Sequence, residues 1–209
     1  MNFEFERSHY ALGNLDEAEL PAGPLDLLRD WLREATERGC PEPTAMALAT
    51  ASAEGRPSNR FVLVRGLSED GIEFFTNYLS RKGQELTENP FAAATFWWPL
   101  MERQVRLEGR VEKLTAAESD AYFNARPLES QRASAASPQS QVVESREALE
   151  RLIEQFPADG PVERPDHWGG YRLIPGRIEF WQGRPARLHD RVVYERKDDG
   201  TWTLSRLAP

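Results

Sequence analysis

Hydrophobic positions recur at two different periods along the 209-residue chain, and the switches between them mark its elements. Over residues 24–38, Leu25, Leu28, Trp31, Leu32 and Ala35 fall on one stripe of an amphipathic helix. Pro24 suits its first turn and Gly39 its C-terminal cap. Residues 44–50 then alternate large and small side chains at period two, leaving an alanine face that other groups can approach closely. Beyond the Glu54-Gly55 turn, strands are predicted over 60–65, 72–76, 91–98 and 104–114, with a short helix starting after Ser80. Strands this closely spaced suggest a meander or barrel rather than a βαβ sheet. Thr115-Ala-Ala-Glu118 is a capping box opening a helix that Arg126-Pro127 should end. The Ser/Ala/Gln-rich run 130–145 is a loop or a loose helical turn, followed by a helix over 146–156 and a Pro/Gly connection over 157–165. Final strands are predicted at 171–174, 177–182, 187–195 and 201–207. Residues 1–20 lack periodicity and read as an irregular, flexible arm. Residues 21–209 read as a single domain, mainly β with peripheral helices.

Composition narrows the function classes. No apolar run approaches the roughly 20 residues of a membrane span, and the acidic N-terminus lacks the basic-then-apolar layout of a signal peptide. A single cysteine, Cys40, excludes an internal disulfide, and a free thiol fits a reducing, cytoplasmic setting. A formal net charge of −8 argues against nonspecific nucleic-acid binding. The charge is uneven, however. Acids crowd the N-terminal part, while Arg60, Arg65, Arg81, Lys82, Arg103, Arg106, Arg126 and Arg132 punctuate the middle. Local arginine clusters on an acidic protein suggest small phosphorylated ligands, although ordinary surface scatter gives the same pattern.

Three constellations could carry chemistry. Arg81 and Lys82 occupy the first turn of the helix after Ser80, where the helix dipole already places partial positive charge. A bound phosphate would relieve that conflict using free backbone N–H groups and both side chains, with Arg60 as a third contact; isolated basic residues at helix starts are also common. Tyr122 and Arg126 lie one turn apart on the capped helix, with Ser130 just beyond, and together make a monophosphate clamp or merely a surface Tyr–Arg stack. In the predicted strand over 187–195, Arg187, His189 and Arg191 share one face. An anion or electron-rich ring lying across that row explains it, and so does a solvated edge strand charged against aggregation. Trp97, Trp98 and Trp181 are read as partly core. The three histidines lack metal-ligand spacing. Dinucleotide fingerprint, P-loop and nucleophile-elbow patterns are absent from the sequence.

Together these residues resemble the pyridoxamine (pyridoxine) 5′-phosphate oxidase family. The matching stretches, in order, are Pro43-Thr-Ala-Met46, Arg60-Phe-Val-Leu-Val64, Phe75-Thr-Asn77, Ser80-Arg-Lys82, Glu102-Arg-Gln-Val105, Tyr122-Phe-Asn-Ala-Arg-Pro127 with Ser130-Gln131, Trp168-Gly-Gly170, Ile178-Glu-Phe-Trp-Gln-Gly183, Arg187-Leu-His-Asp-Arg191 and Arg206-Leu-Ala-Pro209. The resemblance implies an FMN-binding split β-barrel with a C-terminal dimerisation region, forming a homodimer with active sites at the subunit interface. It implies oxidation of pyridoxamine or pyridoxine 5′-phosphate to pyridoxal 5′-phosphate, with O₂ as acceptor. By matched position, Arg60, Arg81, Lys82 and Ser140, with Gln139 beside them, would hold the FMN phosphate. Phe61, Val62, Phe75, Thr76, Gln104, Trp181 and Arg191 would line the rest of FMN. Tyr122, Arg126, Ser130 and the residue at Arg65 would hold the substrate phosphate, and Arg187 and His189 the pyridine ring. Arg7 and Tyr10 match a mobile arm that covers the site. Two positions depart from the family pattern: Arg65 stands where lysine is usual and Phe75 where tyrosine is common. Alternatives are a related flavin oxidase acting on a phenazine-type substrate, and a noncatalytic FMN- or pyridoxal-phosphate-binding module.

Overall fold

The computed structural model describes residues 10–157 and 159–209; Arg7 lies outside the described residues. Helix α1 (Pro24–Glu37) buries Leu25, Leu27, Leu28, Trp31 and Ala35. It ends as its glycine predicts: Gly39 takes φ +69°, and the N–H groups of Gly39 and Cys40 donate to the carbonyls of Thr36 and Ala35. The strands are β1 (Ala45–Ala51), β2 (Pro57–Leu63), β3 (Gly66–Leu67), β4 (Ile72–Asn77), β5 (Phe91–Trp98), β6 (Arg103–Lys113), β7 (Trp168–Gln182), β8 (Asp190–Arg196) and β9 (Trp202–Arg206). The remaining helices are α2 (Arg81–Glu88), α3 (Ala116–Asn124), α4 (Leu128–Ala136) and α5 (Arg146–Glu154). Strand order is β2-β1-β5-β6-β7-β4-β3, with β8 pairing both β7 and β9. The mainly β expectation therefore holds. Among the described residues no helix is long and apolar enough to cross a membrane, and no His/Cys/Asp/Glu group could hold a metal ion.

Three sequence expectations are corrected. The run 130–145, read as a loop or a loose helical turn, is more regular than that, because most of the nine-residue helix α4 falls in it. Alanine favours helix, but the run lacks the apolar stripe that normally reveals one. The strands expected over 171–174 and 177–182 are one strand, β7, whose two halves pair with different partners. Ile72 to Asn77 pair antiparallel with Leu173 to Trp168, and Arg177 to Gln182 with Glu195 to Asp190. Pro175, which has no N–H to donate, falls between the two ladders.

The third correction concerns residues 187–195. The strand begins only at Asp190. Before it, Pro185–Arg187 forms a tight turn in which Ala186 and Arg187 adopt φ +56° and +63°. The Arg184 backbone N–H closes this turn by donating to His189 Nδ1 at 3.1 Å. Arg187 and His189 are therefore not strand residues, and alternation does not put them on one face with Arg191.

By internal contacts the chain divides into two compact units, one of residues 1–47, 93–109 and 175–209, the other of residues 48–92 and 110–174. In the first, Trp31 meets Trp98 and Phe180 edge to face, among buried Phe96, Val105, Leu107, Ile178 and Val192. Its Leu15 is buried, and the Leu15 N–H donates to Asp190 Oδ2 at 3.1 Å. In the second, Ile72, Phe74 and Tyr171 are buried, and Phe123, Val162 and Trp168 form a further cluster under Phe75, Tyr122 and Leu128.

Helix α2 is held tightly against the turn before it. A Cβ on Gly83 would lie 2.2 Å from the Tyr78 carbonyl oxygen, and that backbone cannot yield as a flexible side chain could. In an unhindered helix Gly→Ala gains about 1 kcal/mol. Here Gly83→Ala should instead cost on the order of 1–3 kcal/mol. Denaturant unfolding measures this, and a variant as stable as the parent would contradict the close packing.

Candidate active site

Strand β2 and the start of α2 bring the basic residues of the second unit together. Ser80 caps α2: its hydroxyl accepts from the Gly83 N–H and donates to the Asn77 carbonyl at 2.6 Å. The cap turns Lys82 inward, where its ammonium donates to Gln139 Oε1 at 2.8 Å, Thr76 Oγ1 at 3.1 Å and Ser80 Oγ at 3.3 Å. Lys82 is only 8% exposed, and none of these acceptors carries charge. Burial, helped by the Arg60 guanidinium, lowers its pKa to about 8.

Lys82 lines a cavity of about 310 Å³ with Arg60, Phe61, Val62, Leu63, Arg65, Phe75, Thr76, Tyr122, Arg126, Ser134, Gln139 and Trp168. Four cationic side chains line it and no carboxylate does. Three rings form one wall: Phe75 and Tyr122 stack with centroids 3.9 Å apart, and Trp168 lies within 4° of the Tyr122 plane. Arg126 lies over Trp168, its guanidinium carbon 4.9 Å from the ring centroid, and donates to Ser134 Oγ at 2.7 Å. Burial is the main influence lowering the Arg126 pKa, and nearby Arg65 adds repulsion. Among the described residues only Arg60 of these four has an ion-pair partner, Glu85, which lies outside the lining, and the remaining excess of positive charge favours an anion there. A phosphate monoester, with about two negative charges and three acceptor oxygens at neutral pH, fits that demand.

The structure gathers most of the expected phosphate-binding residues. Arg60, Phe61, Val62, Arg65, Phe75, Thr76, Lys82, Tyr122, Arg126 and Gln139 all line the one cavity. Arg81 does not line it but joins Arg60 through Glu85. Ser130 is half-buried on α4 and lines a neighbouring cavity of about 320 Å³ with Arg126. Ser140, exposed at φ +72°, lines neither. Sequence reasoning missed Ser134, Trp168 and Glu85. Ser134 is one turn after Ser130 and would have followed once α4 was read as a helix; Trp168 stood in a matching stretch without a role assigned to it, and Glu85 carries no local signal.

The other expected residues fall in the first unit. Tyr10 meets both Trp181 and His189 with centroids 5.7 Å apart, and Trp181 and His189 are 4.7 Å apart. Because His189 Nδ1 accepts a backbone hydrogen bond, the neutral ring carries its proton on Nε2. Arg187 is exposed, and Gln104 is half-buried on β6. Arg191 pairs across the ladder with Trp181; its Nε donates to buried Glu179 at 2.8 Å and a terminal nitrogen to the Ala208 carbonyl at 2.9 Å. The Glu179 hydrogen bond raises its pKa, which keeps Arg191 charged.

Comparison with known proteins decides the family. Residues 32–157 match the family model described as pyridoxamine 5′-phosphate oxidase, and residues 168–209 match the pyridoxine 5′-phosphate oxidase C-terminal dimerisation region. A pyridoxine/pyridoxamine 5′-phosphate oxidase from Pseudomonas paraeruginosa is 54% identical over 208 residues, covering 97% of this chain and 96% of that protein. The chain belongs to the pyridoxamine 5′-phosphate oxidase family. A protein with the same name from Nostoc punctiforme is 50% identical over 97% of this chain and 96% of its own length. Among solved structures, PhzG from Burkholderia lata in complex with tetrahydrophenazine-1-carboxylic acid is similar, with a TM-score of 0.86 and 35% identity over 92% of this chain and 95% of that one. A pyridoxamine 5′-phosphate oxidase-related FMN-binding protein from Nostoc punctiforme shares the fold, at a TM-score of 0.75 and 21% identity over 91% of this chain and all of that one. The fold is thus the split β-barrel expected from sequence.

The lowered Lys82 pKa sets a pH dependence. Between about 8 and 10.5 the folded, unliganded chain sheds a proton that the unfolded chain keeps, so this group adds stability as pH rises through that window. Anion binding runs the opposite way, because it needs the charged ammonium. The affinity for a phosphate monoester seated on Lys82, with FMN as the probe, should therefore fall as pH rises through about 8, approaching tenfold per pH unit beyond it. Flavin fluorescence titrations from about pH 7 to about pH 9 measure the change. An unchanged affinity across that range would contradict a phosphate seated on Lys82.

Proposed function

We propose that the chain oxidises pyridoxamine 5′-phosphate or pyridoxine 5′-phosphate to pyridoxal 5′-phosphate, using FMN and O₂, as a homodimer with active sites at the subunit interface. The observation that carries this reading is the cavity lined by Arg60, Arg65, Lys82 and Arg126 with no carboxylate, in a chain of this oxidase family. Two phosphate groups would share those cations, one from the cofactor and one from the substrate. Lys82, Arg60 and Arg81 hold the FMN phosphate, beside Thr76 and Gln139. Tyr122, Arg126 and Arg65 hold the substrate phosphate, and Ser134, bonded to Arg126, fixes the direction of that guanidinium.

When bound, FMN would supply the two-electron oxidation at the substrate's C4′ carbon, with O₂ as the final acceptor and hydrogen peroxide as its product. The chain's task is alignment and charge stabilisation. Arg187 and His189 position the pyridine ring, with His189 Nε2–H as a donor toward it. Arg191, kept charged by Glu179, would stabilise negative charge on the reduced flavin. With the amine substrate, hydrolysis of the resulting imine releases ammonia.

The likeness to PhzG favours a second reading, oxidation of a phenazine-type substrate. Arg65 and Arg126 argue against it, since a clamp for phosphate is idle on a substrate without one. Aerobic turnover separates the two. Pyridoxine 5′-phosphate should be oxidised with release of peroxide, and unphosphorylated pyridoxine should not be turned over appreciably. Arg126→Ala should raise KM for the phosphorylated substrate by about tenfold or more while FMN is retained. Tight FMN binding without turnover of either B6 phosphate would overturn the proposal.

A further inference from the structure

Among the described residues Glu85 is the one carboxylate in contact with the basic cluster, and it is only 5% exposed. Its Oε1 accepts from Arg81 Nε at 2.9 Å. Its Oε2 accepts from the hydroxyls of Thr50 and of Ser58, the latter at 2.5 Å, and from Arg60 at 3.4 Å. Arg60 in turn donates to both hydroxyls, to Thr50 at 2.6 Å, and to the Leu48 carbonyl at 3.1 Å. Arginine can only donate, so each hydroxyl accepts from Arg60 and turns its own hydrogen to the carboxylate. Arg60, two hydroxyls and Arg81 therefore form one hydrogen-bonded network that converges on Glu85 and links β1, β2 and α2.

Burial alone would raise the Glu85 pKa, but hydrogen bonds from Ser58, Thr50 and Arg81 outweigh it and hold the carboxyl at about 2. Helix stability does not account for the arrangement. Arg81 lies at the positive end of the α2 dipole, and an Arg–Glu pair with arginine on the N-terminal side is the weaker orientation. Arg81 is otherwise a largely exposed side chain with wide rotamer freedom, yet the bond to its Nε leaves both terminal nitrogens without a hydrogen bond among the described residues. Arg60, Arg81 and Lys82 together with Glu85 carry a net charge of +2, which balances a phosphate dianion.

We infer that Glu85 is a positioning residue that orders the Arg60 and Arg81 guanidinium groups for a phosphate monoester and trims the cluster's charge to match it. This rests on the FMN reading above. It assigns no contact between Glu85 and the ligand; the carboxylate acts through the two arginines, directly and through the hydroxyls of Thr50 and Ser58.

The test compares FMN with riboflavin, which lacks the phosphate, by fluorescence titration of the full chain and its Glu85→Gln variant. The variant should bind FMN about tenfold more weakly or worse, through loss of charge-assisted hydrogen bonds, and riboflavin as the parent does. FMN bound as tightly or more tightly by the variant would show that Glu85 merely opposes the anion, and would overturn the inference. Equal losses for FMN and riboflavin would reduce Glu85 to general support of the fold, and would also overturn it. If Glu85→Gln does not fold, Ser58→Ala takes its place, with a smaller FMN-selective loss expected and the same contrary outcomes. A parent chain with no preference for FMN over riboflavin would instead count against the functional reading itself.

Discussion

Positive charge held in a half-buried space without a carboxylate facing it is the constraint on which the site depends. Desolvating a cation is costly, and an ammonium as enclosed as Lys82 stays charged near neutral pH only with help from its surroundings. Three neutral oxygens surround it, which solvates the charge without cancelling it. Arg126 is treated similarly, with the face of Trp168 and one hydroxyl in place of an acid. Elsewhere in the chain arginines do pair with acids: Arg172 with Glu73, Arg206 with Glu17 and Asp190, Arg191 with Glu179. Of the three arginines lining the cavity only Arg60 meets a carboxylate among the described residues, so Arg65 and Arg126 depart from how this chain usually satisfies arginine.

Glu85 shows how such a cluster can be assembled before its ligand arrives. Like charges brought together repel, and long side chains lose rotamer freedom when fixed. One buried carboxylate, charged because two hydroxyls and a guanidinium donate to it, offsets part of that repulsion and directs two arginines at once. The backbone supports the same end. The Ser80 cap aims Lys82 inward, and the close approach of Gly83 to the Tyr78 carbonyl fixes where α2 starts.

Features that depend on local chemistry were legible in the sequence. The Pro24 start and Gly39 end of α1, the capping box at Thr115 and Glu118, and the cap at Ser80 each declare themselves within a few residues. The placement of Lys82 in the first turn of α2 and of Tyr122 on α3 was legible for the same reason, whereas Arg126 lies just beyond the end of α3 rather than on it. The failures share a cause. At Ala186 and Arg187 the backbone enters the left-handed region, which neither residue type signals, so alternation was carried through a turn where it does not apply. Helix α4 is too evenly polar along its length to show a period. Thr50 and Ser58 face each other across the predicted Glu54-Gly55 turn, but Glu85 lies 27 residues beyond Ser58 and meets them only once α2 is folded against β1 and β2, so no spacing could have joined it to them.

A crystal structure of the chain with FMN and pyridoxal 5′-phosphate tests the central claim most directly. One phosphate is expected against Arg60, Arg81 and Lys82, with Glu85 still bonded to Arg81, and a second against Arg65, Tyr122 and Arg126. Either phosphate seated outside that carboxylate-free cavity, or Glu85 turned away from both arginines when FMN is bound, would contradict it.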